Sequence, residues 1–241
     1  MADSLPCALL RGKSPKKDKP SLAGGVHQDM IGIIDYKAGN LTSVARALHY
    51  LGQPCEVTDE AGVLDACDRL VFPGVGAAGE AMSNLRRLGL DRRLREWIAA
   101  GKPTLGICLG TQVIFEFSEE NATDCLGIVP GSVRRFPGDL KDRQGRFLKI
   151  PHMGWNGVEF SRSHPVFAGL PADAEFYFVH SYYPAPAVVD YALGWTDYGL
   201  RFCAAIAHKN LVAVQFHPEK SGGPGLKILD NFCRWGGADA Q

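Results

Sequence analysis

Cys108 is placed where a cysteine can act as a nucleophile. It lies in Gly106-Ile-Cys-Leu-Gly110, the Gly-x-nucleophile-x-Gly form of a strand-to-helix turn that lifts a reactive side chain above a sheet. The flanking glycines relieve crowding where the backbone folds tightly. At the start of a helix a thiol also sits near the positive end of the dipole and beside free N–H groups, which favours thiolate. Alone, these residues also fit an inert buried cysteine beside ordinary capping glycines. The segment Val212-Ala-Val-Gln-Phe-His217-Pro-Glu219 adds a histidine and a carboxylate two residues apart at the end of an apolar strand. Residues i and i+2 of an extended chain point the same way, and Pro218 stiffens the link. Glu219 can therefore orient the His217 imidazole. Thiolate, base and orienting carboxylate suit covalent attack on a carbonyl carbon, with the base returning a proton to the leaving group. The turn Pro73-Gly-Val-Gly76 can offer the Val75 N–H to the oxyanion so formed, with Leu109, next to the cysteine, as second donor.

These residues need a scaffold, and the chain supplies one by alternating short apolar runs with helical periods. That pattern predicts an α/β fold, a parallel sheet with crossover helices. Ile31–Asp35, Cys55–Thr58, Leu70–Phe72 and Thr104–Ile107 read as strands. Leu41, Val44, Leu48 and Leu51 recur at helical spacing before Gly52, and Leu90–Ala100 is amphipathic up to Gly101. A helix over Leu109–Phe117 puts Cys108 at its start. Beyond residue 125 the character turns to strands, with β-rich stretches at 127–136, 147–160, 175–183, 192–207 and 211–216, which predict an antiparallel or mixed extension. A last helix over Gly225–Trp235 packs Leu226, Leu229 and Phe232 against the domain. Residues 1–29 carry Arg11, Lys13, Lys16, Lys17 and Lys19 among Pro, Ser and Gly, and are expected to form a disordered extension to a domain of residues 30–241.

Composition narrows the function further. The 26 basic and 26 acidic residues balance, so no overall field draws nucleic acid or an anionic membrane. Seven cysteines, Cys7, Cys55, Cys67, Cys108, Cys125, Cys203 and Cys233, are odd in number and never form Cys-x-x-Cys. That speaks against a disulfide framework and a zinc site, and no metal or cofactor is expected. No apolar run is long enough to span a membrane, and a reducing cytoplasm is the expected location.

The order of the cysteine and the His-x-Glu resembles the class I glutamine amidotransferase family over residues 30 to 236. The turn Pro73-Gly-Val-Gly76 and four segments are similar to the glutaminase subunits of imidazole glycerol phosphate synthases: Asp35-Tyr-Lys-Ala-Gly-Asn40, Pro151-His-Met-Gly-Trp-Asn156, Phe178-Val-His-Ser-Tyr182 and His217-Pro-Glu-Lys-Ser221. The resemblance implies a three-layer fold, mostly parallel sheet with helices on both faces and an antiparallel extension. It implies hydrolysis of the glutamine side-chain amide, with Cys108, His217 and Glu219 as triad and Gly76, Gln112, Glu120, Ser181 and Tyr182 holding substrate. It also implies a partner, a (β/α)8 cyclase subunit that receives the ammonia in a heterodimer and faces Asn40, Trp155 and Lys220. Three positions depart from the family's usual residues: Lys37 replaces Gly, Thr111 replaces Met, and Ala78 replaces an aromatic. Glutaminases of pyridoxal phosphate synthesis share the triad but not the Asp-Tyr and His-Met-Gly-Trp-Asn segments, and a catalytically silent regulator has no need of an intact triad.

Overall fold

The structure, a computed structural model, describes residues 29–37, 39 and 41–238. The extension expected at the N-terminus therefore lies outside the described residues except for Asp29, which pairs with the Arg69 guanidinium. Four strands and their helices come first among the described residues: β1 (Ile31–Ile34), α1 (Leu41–Tyr50), β2 (Cys55–Thr58), α2 (Ala61–Ala66), β3 (Arg69–Gly74), α3 (Ala78–Leu88), α4 (Leu90–Ala99) and β4 (Thr104–Cys108). A short α5 (Leu109–Val113) follows, then β5 (Phe117–Ser118), β6 (Thr123–Asp124), β7 (Gly131–Arg135), β8 (His152–Gly157), β9 (Glu159–Phe160), β10 (Glu175–His180) and β11 (Tyr182–Pro186). The chain closes with β12 (Ala192–Asp197), β13 (Arg201–His208), β14 (Leu211–Val214) and α6 (Gly222–Arg234).

The main sheet runs β2-β1-β3-β4-β14-β13-β12-β9. Its first five strands are parallel and the rest antiparallel. Successive side chains of a strand face opposite sides, and both sides here are covered. Val71, Leu105, Ile107, Val212 and Val214 meet Val44 and Leu48 of α1 and Leu229 and Phe232 of α6. Leu70, Phe72, Leu211 and Ala213 meet Met82 and Leu85 of α3, Leu94 and Trp97 of α4, and Val113 of α5. A sheet buried on both faces accounts for the continuous apolar runs rather than alternation. Removing the fully buried Phe72 ring would cost roughly 3–5 kcal/mol. Two smaller sheets, β10-β8 and β11-β7-β5-β6, sit beside the main one.

The helix after Cys108 is shorter than the sequence predicts, ending at Val113 rather than Phe117. Its last carbonyls are taken by the following loop, as Leu126 N–H donates to Val113 and Ile128 N–H to Ile114, and Phe117–Ser118 pairs as a strand with Ser132–Val133. The β-rich stretch 175–183 is broken at Ser181, where pairing passes from β8 to β7. Among the described residues no helix is long and apolar enough to cross a membrane.

Candidate active site

The registers of three parallel neighbours bring the predicted residues to one edge. Gly74 of β3 lies opposite Cys108 of β4, and Val214 of β14 lies opposite Ile107. The chain leaving β3 therefore carries Val75 and Gly76, and the chain leaving β14 carries Gln215 and His217, to the carboxyl ends of the strands where ligands of such sheets bind. Cys108 itself adopts φ 54° and ψ −108° between β4 and α5, a conformation non-glycine residues rarely take and one that persists only where packing enforces it. The enforcement is visible at Gly110, where a Cβ would stand 1.8 Å from the Phe72 carbonyl oxygen. Only glycine lets α5 start so close to β3.

Nδ1 of His217 lies 2.8 Å from Oε1 of Glu219, and the two side chains are 2% and 3% exposed. A carboxylate only accepts, so Nδ1 carries the proton and Nε2 is left for chemistry. Nε2 makes no hydrogen bond of normal geometry within the protein. Burial opposes a charged ring, but the neighbouring Cys108 sulfur and then the Glu219 carboxylate outweigh it and raise the His217 pKa to about 9. The Gln215 amide nitrogen reaches toward the sulfur at 3.8 Å. Sequence reasoning did not single out Gln215, although a polar residue in the apolar run Val212–Phe216 was a usable signal.

A cavity of about 390 Å³ opens over Cys108. Val75 and Leu109, the expected oxyanion donors, border it together with Gly76, Gln112, Glu120, Ser181 and Tyr182. Pro151, Val179 and His180 border it as well. The Gln112 side chain is committed to the protein, its Nε2 donating to the Tyr182 carbonyl and to Gln215 Oε1, each at 2.9 Å. Glu120 is partly committed too: its Oε2 accepts from the Ala78 N–H at 2.7 Å, capping α3, whose own N-cap residue Ala77 has no side chain able to do so.

Trp155 and Lys220 meet on the surface at Tyr177. Trp155 is 55% exposed with its ring edge-on at 6.1 Å, and Lys220 Nζ lies 5.9 Å over the same ring. Tyr177 in turn accepts from the His217 N–H at 2.9 Å through its carbonyl. Asn40 lies outside the described residues. The other described cysteines, Cys55, Cys67, Cys125, Cys203 and Cys233, are unpaired, and burial raises each thiol pKa, to about 11 for Cys125 and about 12 for Cys203 and Cys233.

Residues 32–235 match the family model described as glutamine amidotransferase class-I. The chain belongs to the class I glutamine amidotransferase family. Among this amidotransferase's relatives is the imidazole glycerol phosphate synthase subunit HisH of Nitratidesulfovibrio vulgaris (strain DP4), 50% identical over 214 residues, or 88% of this chain and 100% of the relative. The subunit of that name from Methylococcus capsulatus is 51% identical over 209 residues, 85% of this chain and 96% of its own. The fold is shared with the solved PurLQS from Thermotoga maritima at a TM-score of 0.65, with 14% identity, covering 86% of this chain and 98% of that one.

The amidotransferase's three departures from the usual family residues each have a physical account. Lys37, where Gly is usual, keeps the left-handed φ of 64° and ties it down with its ammonium on Asp35 and Asp59, at 2.9 and 3.0 Å. Thr111 spends its hydroxyl on the Val214 carbonyl at 2.6 Å, fastening α5 to β14. Ala78 is fully buried at the start of α3, under the Glu120 carboxylate.

Proposed function

We propose that this amidotransferase is the glutaminase subunit of imidazole glycerol phosphate synthase in histidine biosynthesis, releasing ammonia from glutamine for a separate (β/α)8 cyclase subunit that forms imidazole glycerol phosphate and an aminoimidazole carboxamide ribotide. The observation that carries it is the strained Cys108 at the floor of the cavity with His217 beside it, in a chain half identical to HisH subunits across nearly their whole length.

The Cys108 thiolate attacks the γ-carbonyl carbon, and the oxyanion is held by the N–H groups of Val75 and Leu109. Each such donor is worth roughly 2.7 to 4 kcal/mol of barrier. His217, which has taken the Cys108 thiol proton on Nε2, gives it to the departing nitrogen as the C–N bond breaks, leaving a γ-glutamyl thioester and ammonia. Water then loses a proton to His217 and attacks the thioester, and glutamate leaves with the thiolate restored. Glu219 keeps Nδ1 protonated throughout. Gly76, Gln112, Glu120, Ser181 and Tyr182 shape the cavity for glutamine, with the Gln112 amide nitrogen acting on the wall rather than on substrate.

Free ammonia is protonated in water, so the partner must dock over the site. Trp155 and Lys220 on Tyr177 form the docking face, and rotation of the Gly74–Val75 peptide switches the oxyanion donor on when the partner is engaged. Free thiols suit a reducing cytoplasm. The test is glutamate release by the purified chain with the cyclase subunit and its ribotide, beside Cys108→Ala. Ligand-stimulated turnover that disappears in the variant is expected. Turnover that survives the substitution removes the nucleophile, and a full rate in the isolated chain removes the switch.

A further inference from the structure

His152 and His180 take no part in the proposed chemistry, yet hydrogen bonds join them to it. They face each other across β8 and β10, with Nδ1 of His152 3.0 Å from Nε2 of His180. The ends of the chain decide where the protons lie. The Tyr182 carbonyl, 2.8 Å from His180 Nδ1, can only accept. His180 therefore donates from Nδ1, and its Nε2 accepts from Nδ1 of His152. Nε2 of His152 faces the Asn156 side-chain nitrogen at 3.4 Å, an amide whose orientation is set by its 2.9 Å bond to the Asp197 carbonyl. Every donor meets an acceptor only when both rings are neutral and carry their proton on Nδ1.

The surroundings hold that state. Stacking between Phe178, at 4.8 Å, and Tyr198, at 4.0 Å, stops the His152 ring from swinging. Burial pushes the pKa of His152 down to about 4 and that of His180 down to about 3, the latter against the pull of the Tyr182 carbonyl.

The relay does not end at Tyr182. That carbonyl also takes the Gln112 amide, Gln112 reaches Gln215, and Gln215 points at the Cys108 sulfur. At the other end, His152 and Asn156 lie on one side of β8, and Met153 and Trp155, 61% and 55% exposed, lie on the opposite one. One strand thus carries the exposed pair on one face and the start of the hydrogen-bonded chain on the other.

We propose that His152 and His180 are positioning residues, a one-way hydrogen-bond relay that fixes the Tyr182 carbonyl and, through Gln112 and Gln215, the donor facing Cys108. The placement of β8 is thereby felt at the nucleophile. The inference rests on Cys108 being the nucleophile.

Two measurements test it. Nitrogen-15 spectra of the histidine-labelled chain at neutral pH should show both rings with a protonated Nδ1 and a bare Nε2; an Nε2–H or a doubly protonated ring at either position overturns the relay. In the two-subunit enzyme, His152→Phe keeps the stacked ring but leaves His180 Nε2 buried without a donor. It should lower kcat/KM for glutamine about tenfold or more. His152→Asn, whose amide nitrogen takes the place of Nδ1, should regain most of that loss, a rescue that a purely packing role would not give. A Phe variant at full kcat/KM, or an Asn variant no better than Phe, overturns the proposal. Cys108→Ala separates the two readings: activity remaining there removes the nucleophile, whereas the tautomers stand or fall without any turnover.

Discussion

His217 and Glu219 are joined across a single proline, imidazole Nδ1 to carboxylate Oε1 at 2.8 Å, both nearly sealed from solvent. In the proposed mechanism the carboxylate holds one tautomer and balances the ring's charge. Glu219→Gln keeps the shape and can turn its amide NH₂ toward Nδ1, which then loses its proton to Nε2. Glutaminase kcat in the assembled enzyme should fall by roughly 10² to 10⁴ with little change in KM for glutamine. An undiminished kcat would take Glu219 out of the mechanism.

The same histidine makes stability depend on pH. Its pKa rises from 6.5 in the unfolded chain to about 9 in the fold. A histidine so raised contributes its full stabilisation below about 6.5 and loses it as pH climbs through about 9. In Cys108→Ala the sulfur's share of the rise is gone, so the dependence over that window should be shallower than in the native chain. Urea midpoints across the window check this, and parallel curves for the two proteins would contradict it.

Tyr36 presents a different opportunity. Its hydroxyl is fully buried with no hydrogen-bond partner, and it stands where a side chain on Gly74 would go, 1.8 Å from an added Cβ. Burial, then the charge at Cys108, drives its pKa far above that of an ordinary phenol. Tyr36→Phe should therefore stabilise the fold by about 1 kcal/mol, raising Tm by roughly 2–4 °C. Gly74→Ala should be severely destabilising alone and less so in the Tyr36→Phe background, with a coupling of about 1 kcal/mol or more in a double-mutant cycle. A lower Tm for Tyr36→Phe would mean that the hydroxyl has a partner in solution.

Trp155 and Lys220 should matter to assembly and not to folding. Trp155 is largely exposed against the half-buried ring of Tyr177, so Trp155→Ala should leave Tm within a degree or two and weaken binding of the cyclase subunit about tenfold or more, as loss of an interface tryptophan does. Titration calorimetry reads this directly. Unchanged affinity would move the docking face elsewhere.

Much of this was legible in the residues. Cys108, His217 and Glu219 could be found because nucleophile, base and carboxylate each need a neighbour at fixed spacing, and spacing is written in the chain. The parallel core was readable from its apolar runs. Helix α3 was not, because half of its buried stripe of Ala78, Ala81, Met82 and Leu85 is alanine and it lies among polar and charged residues. Helix α5 was overextended because its end is decided by carbonyls that residues 126–129 claim from further along the chain. Gln215 and the His152–His180 pair escaped notice for a related reason. A polar residue in an apolar run can be noticed in the chain, but its partner is known only once the neighbouring segments are placed.

Seven cysteines share one chain, and the fold treats the six described ones unequally. Five of the six described are held protonated by burial, while Cys108 alone among the six opens on a cavity beside a basic imidazole. A mild alkylating agent should therefore attach one adduct to the described part of the folded chain. The mass of that adduct would count competent molecules in a preparation, which makes the enzyme its own active-site titrant.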